Sequence, residues 1–428
     1  MKPTAARLKK PDTVSKLVLE EVIGLTTKNG NGLASDSSSS KCAYSAGCVV
    51  VILDVNSGTQ SHLIASDRLQ PKPLRCVALS RDGCFVAAGE TGNQSSVLIR
   101  DSSTLSVVSE LKGHLNGVTC ICFSPNGKHL VSVGVYIYLW DWRSGHLITK
   151  LQATSYSSTV SSVSFILDAK FIVTAGRKHL KFWTLESSRK AQQNGGMRKT
   201  VKTASLTIHE KISNLPIQKE CSFTSVVSSV WTNSSDDNRK QAGQLFSMYT
   251  LPDLGILYLI HSGLSVKKSV ILKVQKAFAL SISGKLIACA CNNGTVLLYT
   301  PESLEYTGCV LYSKAKKFYE EDNTNYHAIF PEQNFQQLPA LPDAVACQFS
   351  SSEKLVVIYS DHSLYIWDIH DVNQATKCYV LASYSSCIWD IKNLCCENMH
   401  DPSLVCTAKG CLGGISFATC STDGCRRH

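Results

Sequence analysis

An all-β fold of about seven four-stranded units follows from three features of the sequence. A strand–turn–strand pattern recurs along the chain, a third apolar strand follows each copy, and neighbouring copies are spaced by about 40–45 residues. CFSPNGKHLVSV at 122–133 returns as ALSRDGCFVAAG at 78–89, ALSISGKLIACA at 279–290 and CQFSSSEKLVVIYS at 347–360, with SFILDAKFIVTAG at 164–176 as a looser copy. Leu79, Phe123 and Phe165 hold the same place in successive copies, 44 and 42 residues apart. Phe165 to Leu280 is 115 residues, two periods and an insertion, and Leu280 to Phe349 is 69, one period and a smaller insertion.

The elements follow in order. Residues 1–15 are basic, contain proline and lack periodicity, so they are expected to be disordered. Units then fall near 17–66, 74–111, 117–151 and 159–188, a degenerate one near 220–273, and two more at 277–312 and 343–381. Their third strands read VLIRD (97–101), YLWDW (138–142), LKFWT (180–184), VLLYT (296–300) and LYIWD (364–368). Seven such units close into a β-propeller over 16–386, and closure hides the strand edges that an open array would expose. Two stretches break the period, 187–219 and 313–342, and are expected to be surface loops between blades. An eighth unit starts at Cys387. SFATCSTDG at 416–424 has the turn of a repeat, but the aromatic residue due six positions after Asp423 falls past the final His428. Residues 387–428 are therefore expected to be a truncated blade, poorly packed over 395–428 unless it pairs with a strand at 17–25.

Composition narrows the class. The chain has 428 residues, 44% hydrophobic and 18% charged, enough to bury a large core, and its net charge of +10 permits acidic partners or RNA without requiring them. The 19 cysteines include no CxxC, and Cys120/Cys122 and Cys289/Cys291 alternate with apolar residues, the pattern of reduced thiols on one face of a buried strand. The first residues lack the apolar stretch of a signal peptide, and no run approaches the ~18 apolar residues of a membrane span. A soluble intracellular protein is expected.

The third unit carries GH at 113–114 and LWD at 139–141, and Asp361 precedes Trp367 by six residues. These features resemble a WD40 repeat. KLVLEEVIGLTTKNGNGLA (16–34), CAYSAGCVVVILD (42–54), VTAGRKHLKFW (173–183) and CIWDIKNL (387–394) resemble the WD40-repeat family of mitogen-activated protein kinase-binding protein 1 and its spindle-pole-associated WD-repeat paralogue. That resemblance implies a non-catalytic protein-interaction scaffold linked to MAP-kinase signalling and the spindle or microtubule cytoskeleton. Its expected location is cytoplasmic, nuclear or spindle- and centrosome-associated. It also implies that His114, Trp140, Trp183, Asp361 and Trp367 are structural blade residues. The family's His–Ser/Thr–Asp–Trp tetrad is incomplete here, because Gly134 and Arg177 stand six residues before Trp140 and Trp183.

No catalytic, cofactor-binding or metal site is predicted. GCLGGIS at 410–416 lacks the Lys-Ser/Thr of a phosphate loop, and Cys406, Cys411, Cys420 and Cys425 lack the tight pairing of zinc ligands. The candidate partner-binding residues lie in the first insert: Arg189, Lys190, Arg198, Lys199 and Lys202, with no acid between 189 and 202, and the apolar pair Leu206 and Ile208. Arg198-Lys199 before Leu206 and Ile208 resembles a MAP-kinase docking segment, in which a basic pair meets an acidic patch and spaced apolar residues fill a groove. Lys9-Lys10 before Leu17 and Leu19 repeats the pattern. The rival reading is a ribonucleoprotein or chromatin subunit binding RNA through the basic inserts. The lack of an RNP-like aromatic pattern argues against a nucleic-acid partner, and nothing points to a membrane.

Overall fold

The computed structural model of the chain describes residues 21–36, 39–64, 71–153, 159–166, 169–189, 204–211, 215, 221–230, 246–261, 264–312, 341–350, 353–381, 388–394, 416–421 and 426–427. Seven four-stranded antiparallel meanders follow one another at 33–64, 74–116, 120–152, 160–211, 223–271, 277–311 and 344–381. They are blades 1 to 7 of a β-propeller. Within each blade the strands are lettered a to d, with the a strands of neighbouring blades meeting around the axis.

Why the ring forms is visible in the b strands. FVAAGE, LVSV, IACAC and KLVVIY are buried along nearly their whole length, whereas d strands such as Val266–Ile271 and Thr376–Leu381 are largely exposed. A strand covered on both faces loses period-two alternation and becomes a continuous apolar run. Each b strand is covered because adjacent blades stack face to face. Seven apolar cores result, one between each neighbouring pair. The one joining blades 7 and 1 unites Leu33, Cys42, Tyr44 and Leu53 with Val345, Val356, Ile358 and Ile366.

The ring closes as expected, but of the strand expected at 17–25 residues 17–20 lie outside the described residues. Blades 1 and 7 are each built from one continuous stretch, and no strand forms in 21–25. Leu25 instead packs into the core shared by blades 7 and 1. The ring is fastened from within by the 3₁₀ turn Gly30–Gly32, whose Asn31 side-chain amide donates to Thr119 O at 3.2 Å and Ser161 O at 2.6 Å, at the starts of blades 3 and 4. Across the axis, a Cβ on Gly30 would lie 3.0 Å from the Cβ of Ala279 in blade 6. The turn needs a small residue there.

The first insert is also corrected. Ala204–Lys211 is not a loop but strand d of blade 4, paired along residues 182–189 of strand c. ASLTIHEK alternates apolar and polar residues, the period of a half-buried strand, within a stretch whose polarity disguised it. Residues 1–15 and most of the second insert lie outside the described residues. The tail forms a separate three-stranded sheet of Ile388–Leu394, Ser416–Ser421 and Arg426–Arg427. Ser416–Ser421 is its central strand, and how the tail packs, the expectation over 395–428, lies outside the described residues.

Candidate protein-interaction site

The side chains that set the blades come first, because they hold the surface in place. In blade 3, His114 Nε2 lies 2.7 Å from Ser132 Oγ, and the Trp140 indole N–H donates to the same hydroxyl at 2.9 Å. His114 sits on strand d of blade 2 (Val107–Asn116), so the chain of bonds ties one blade to the next. Blade 4 repeats the arrangement with a histidine from its own c strand: His179 Nε2 to Thr174 Oγ1 at 2.8 Å, Trp183 Nε1 to Thr174 Oγ1 at 2.9 Å. Both histidines are 2–3% exposed, and burial, helped by Lys150 and Lys181 respectively, pushes each pKa down to about 4. Where the family has its acid, blade 3 has Gly134, on which a Cβ would come within 2.5 Å of Gly117 O. There is no room for an aspartate.

Blade 7 differs. Its register pairs Leu355 with Trp367, as Leu130 pairs with Trp140, so Val357 takes the place of Ser132. Asp361 is half-buried at the b–c turn, accepting from the Ser363 N–H (3.1 Å), the Ser363 hydroxyl (2.6 Å) and the Tyr312 hydroxyl (2.9 Å). Trp367 is 6% exposed, and its indole N–H and the neighbouring Tyr359 hydroxyl are buried with only each other as polar neighbours, in a contact that falls short of good hydrogen-bond geometry.

A groove of about 860 Å³ opens between blades 2 and 3 on the face made by the a–b and c–d turns, opposite the b–c turns that hold Gly134 and Asp361. Its floor is Phe85 and the fully buried Trp142, rings 4.9 Å apart, with the Trp142 N–H anchored to Gly127 O at 3.1 Å. Arg143 lies over both rings, 4.9 Å from the centre of Phe85 and 4.4 Å from that of Trp142. Arg81, Lys128, His129, Asp82 and Asp141 complete the rim. Burial opposes ionisation of Asp82, but bonds from Ser80 and Cys84 outweigh it and hold the carboxyl below its ordinary range. Burial lowers the His129 pKa, Asp141 opposing and Lys128 adding to the shift.

The residues expected to bind partners are scattered differently. Arg189 ends strand c of blade 4, Leu206 and Ile208 lie on strand d, and Lys190, Arg198, Lys199 and Lys202 fall outside the described residues. Ile208 is 6% exposed, packed in the core between blades 3 and 4, with Leu206 against the same core. That placement corrects the reading of an apolar pair presented on a loop: filling a partner's groove would require opening the blade edge. Sequence reasoning missed His179, although Thr174, His179 and Trp183 lie close together in the chain. It also missed the groove, whose only sequence signals are the a–b turns RDG and PNG and the second tryptophan of LWDW.

Twelve of the cysteines among the described residues carry free thiols, and burial raises those of Cys42 and Cys120 to about 12. No His/Cys/Asp/Glu cluster suited to a metal occurs among the described residues, and no described helix is long and apolar enough to cross a membrane.

A ring of seven four-stranded blades, joined in blades 3 and 4 by His–hydroxyl–Trp bonding, defines a WD40-type propeller protein. The WD domain, G-beta repeat family matches residues 105–141, which is strand d of blade 2 with strands a to c of blade 3, the span bonded through His114. Over 97% of its length the chain is 30% identical to mitogen-activated protein kinase-binding protein 1 of Mus musculus, and over 96% it is 31% identical to WD repeat-containing protein 62 of Sus scrofa. It spans 26% and 24% of those relatives, about a quarter of each. Among solved structures, a chain of the mitotic checkpoint complex superposes with a TM-score of 0.56 at 17% identity, over 87% of this chain and 98% of that one. The C-terminal WD40 domain of Sif2 follows at 0.51 and 13%, over 86% and 91%. These two likenesses concern the fold alone.

Proposed function

We propose that the chain is a non-catalytic interaction scaffold that binds a MAP kinase, acting in the cytoplasm or at the spindle. The observation that carries this reading is similarity across 97% of the chain to a relative named for binding that kinase class. The fold supports it physically: a closed ring presents turns at fixed positions, so little conformational entropy is lost on binding. Blades 3 and 4 supply rigidity rather than chemistry, since His114 and His179 are buried and neutral at physiological pH. The basic stretch contributes charge alone, because Ile208 is held inside blade 4. Capture of a purified MAP kinase by the intact chain tests the proposal. Binding that weakens in the Arg198→Glu/Lys199→Glu double variant at low salt is the expected result. A folded chain that captures no MAP kinase would refute it.

A further inference from the structure

We infer that the groove between blades 2 and 3 receives an acidic segment of a partner protein, seating an Asp or Glu carboxylate on Arg143 beside an apolar side chain laid against Phe85. The inference rests on the scaffold reading and names the partner's chemistry.

Arg143 carries the argument. Its guanidinium lies over Trp142 and Phe85 at 4.4 and 4.9 Å from the ring centres. A guanidinium held over aromatic rings keeps its in-plane N–H groups for a planar acceptor, and a carboxylate matches that fork with two parallel bonds. The Arg143 guanidinium donates to no acceptor among the described residues, although Asp141 is two positions away. The rings are rigid: Trp142 is fully buried, anchored to Gly127 O, and packed edge-on against Phe123 at 5.4 Å. The receptor is thus set before a ligand arrives, which lowers the entropy lost on binding.

The surroundings select the occupant. Arg81, Lys128 and Arg143 outnumber the two acids of the lining. Asp82 is engaged by Ser80 and Cys84, and Asp141 accepts from the Ser144 N–H at 3.5 Å, so both acids serve their own turns. The Nδ1 atom of His129 is buried in the wall without a hydrogen-bond partner, a polar atom left over by the fold. A volume of about 860 Å³ takes a few peptide residues. The two carboxylates repel a continuous phosphate backbone, whereas one seated side-chain carboxylate avoids them. An acidic peptide therefore fits where RNA does not.

Fluorescence anisotropy on the full chain tests this with a labelled nine-residue peptide of glutamates around a central phenylalanine, its glutamine counterpart, and a uridine oligonucleotide. The glutamate peptide should bind about tenfold more tightly than the glutamine one. Arg143→Ala should weaken it by about tenfold, Arg143→Lys by less, and Lys128→Ala by about two- to threefold, with the melting temperature unchanged for each. Equal binding of the glutamine peptide, indifference to Arg143→Ala, or binding of the oligonucleotide alone overturns the inference. A chain that captures a MAP kinase but ignores the glutamate peptide overturns only the groove assignment. One that binds the peptide but no kinase overturns only the kinase reading.

Discussion

In blade 3 the link to the preceding blade runs through His114, Ser132 and Trp140; in blade 7 the matching places hold Tyr312, Val357 and Trp367. The frame is shared. His114 lies 4.2 Å from Tyr138, ring centre to ring centre, and Tyr312 stacks on the equivalent Tyr365 at 5.2 Å. What differs is how polar atoms are satisfied. Blade 3 gathers the histidine and the indole onto one hydroxyl. Blade 7 moves its hydrogen bonding outward to Asp361 and fills the interior with Tyr312, Tyr359 and Tyr365, leaving the Tyr359 hydroxyl and the Trp367 N–H with only a poor contact to each other. Blades 3 and 7 therefore share an aromatic at the end of strand c and a ring arriving from the preceding blade, but not the hydrogen-bond chain that joins them in blade 3.

The largest test of that contrast removes the tryptophans. Trp140→Ala and Trp367→Ala each empty a buried site and should cost about 3–5 kcal/mol. Trp140→Ala should cost about 1–3 kcal/mol more, because it also takes away the indole N–H that bonds the Ser132 hydroxyl. Urea denaturation of both variants gives the difference directly. Equal losses would mean the bonding chain of blade 3 adds nothing to its packing.

Acid should separate the two regions next. His114 and His179 have folded pKa values of about 4 against a usual 6.5, so the unfolded chain takes up protons first as pH falls. Stability is complete above pH 6.5 and declines until pH 4, by up to about 3 kcal/mol per histidine. Blade 7 has no histidine at the matching place, and burial moves its tyrosines further up, away from this range. Hydrogen exchange between pH 7 and 4.5 should therefore show blades 3 and 4 loosening before blade 7. Simultaneous loosening would discount the histidines.

The hydroxyl itself gives a smaller effect. Thr174→Val keeps shape but leaves His179 and the Trp183 N–H buried without their shared partner, at a cost of about 1–3 kcal/mol. Thermal melting of this variant beside Thr174→Ser, which restores the hydroxyl, isolates the bond from the methyl group. A Val variant as stable as the Ser variant would show that the bond is dispensable.

How much of this was legible in the chain follows from what each feature depends on. Blade period and third strands were readable because every blade buries the same face by the same local pattern, as YLWDW and LYIWD show. Ala204–Lys211 was missed because it is an outer strand, half exposed, whose Lys and Glu follow solvent rather than the core. The closing turn at Gly30–Gly32 leaves no local pattern in the chain, since its partners lie 88 and 130 residues away. The groove escaped for the same reason: Phe85 and Arg143 meet only once two blades stack. His179 was hidden by habit, since the family places its histidine before the blade and this chain supplies it from within.

The smallest effect is the sharpest for blade 7. Tyr359→Phe removes a buried hydroxyl whose one polar neighbour is the Trp367 N–H, in a contact too poorly aligned to satisfy either atom. Removing a poorly satisfied buried polar atom relieves a desolvation cost and keeps the ring packed at 4.9 Å from Tyr312 and 5.0 Å from Tyr365. The variant should therefore be as stable as the parent or gain up to about 1 kcal/mol. Tyr312→Phe should lose about 1 kcal/mol, because its hydroxyl donates to Asp361 at 2.9 Å. The two substitutions delete the same atom from neighbouring rings that meet edge-on, so transfer and packing terms nearly cancel between them. Calorimetry on the pair then reports hydrogen bonding alone. If Tyr359→Phe proves the more damaging, the Tyr359 hydroxyl accepts a working hydrogen bond from the Trp367 N–H, and blade 7 has the same kind of oxygen link as blade 3, with tyrosine in place of serine.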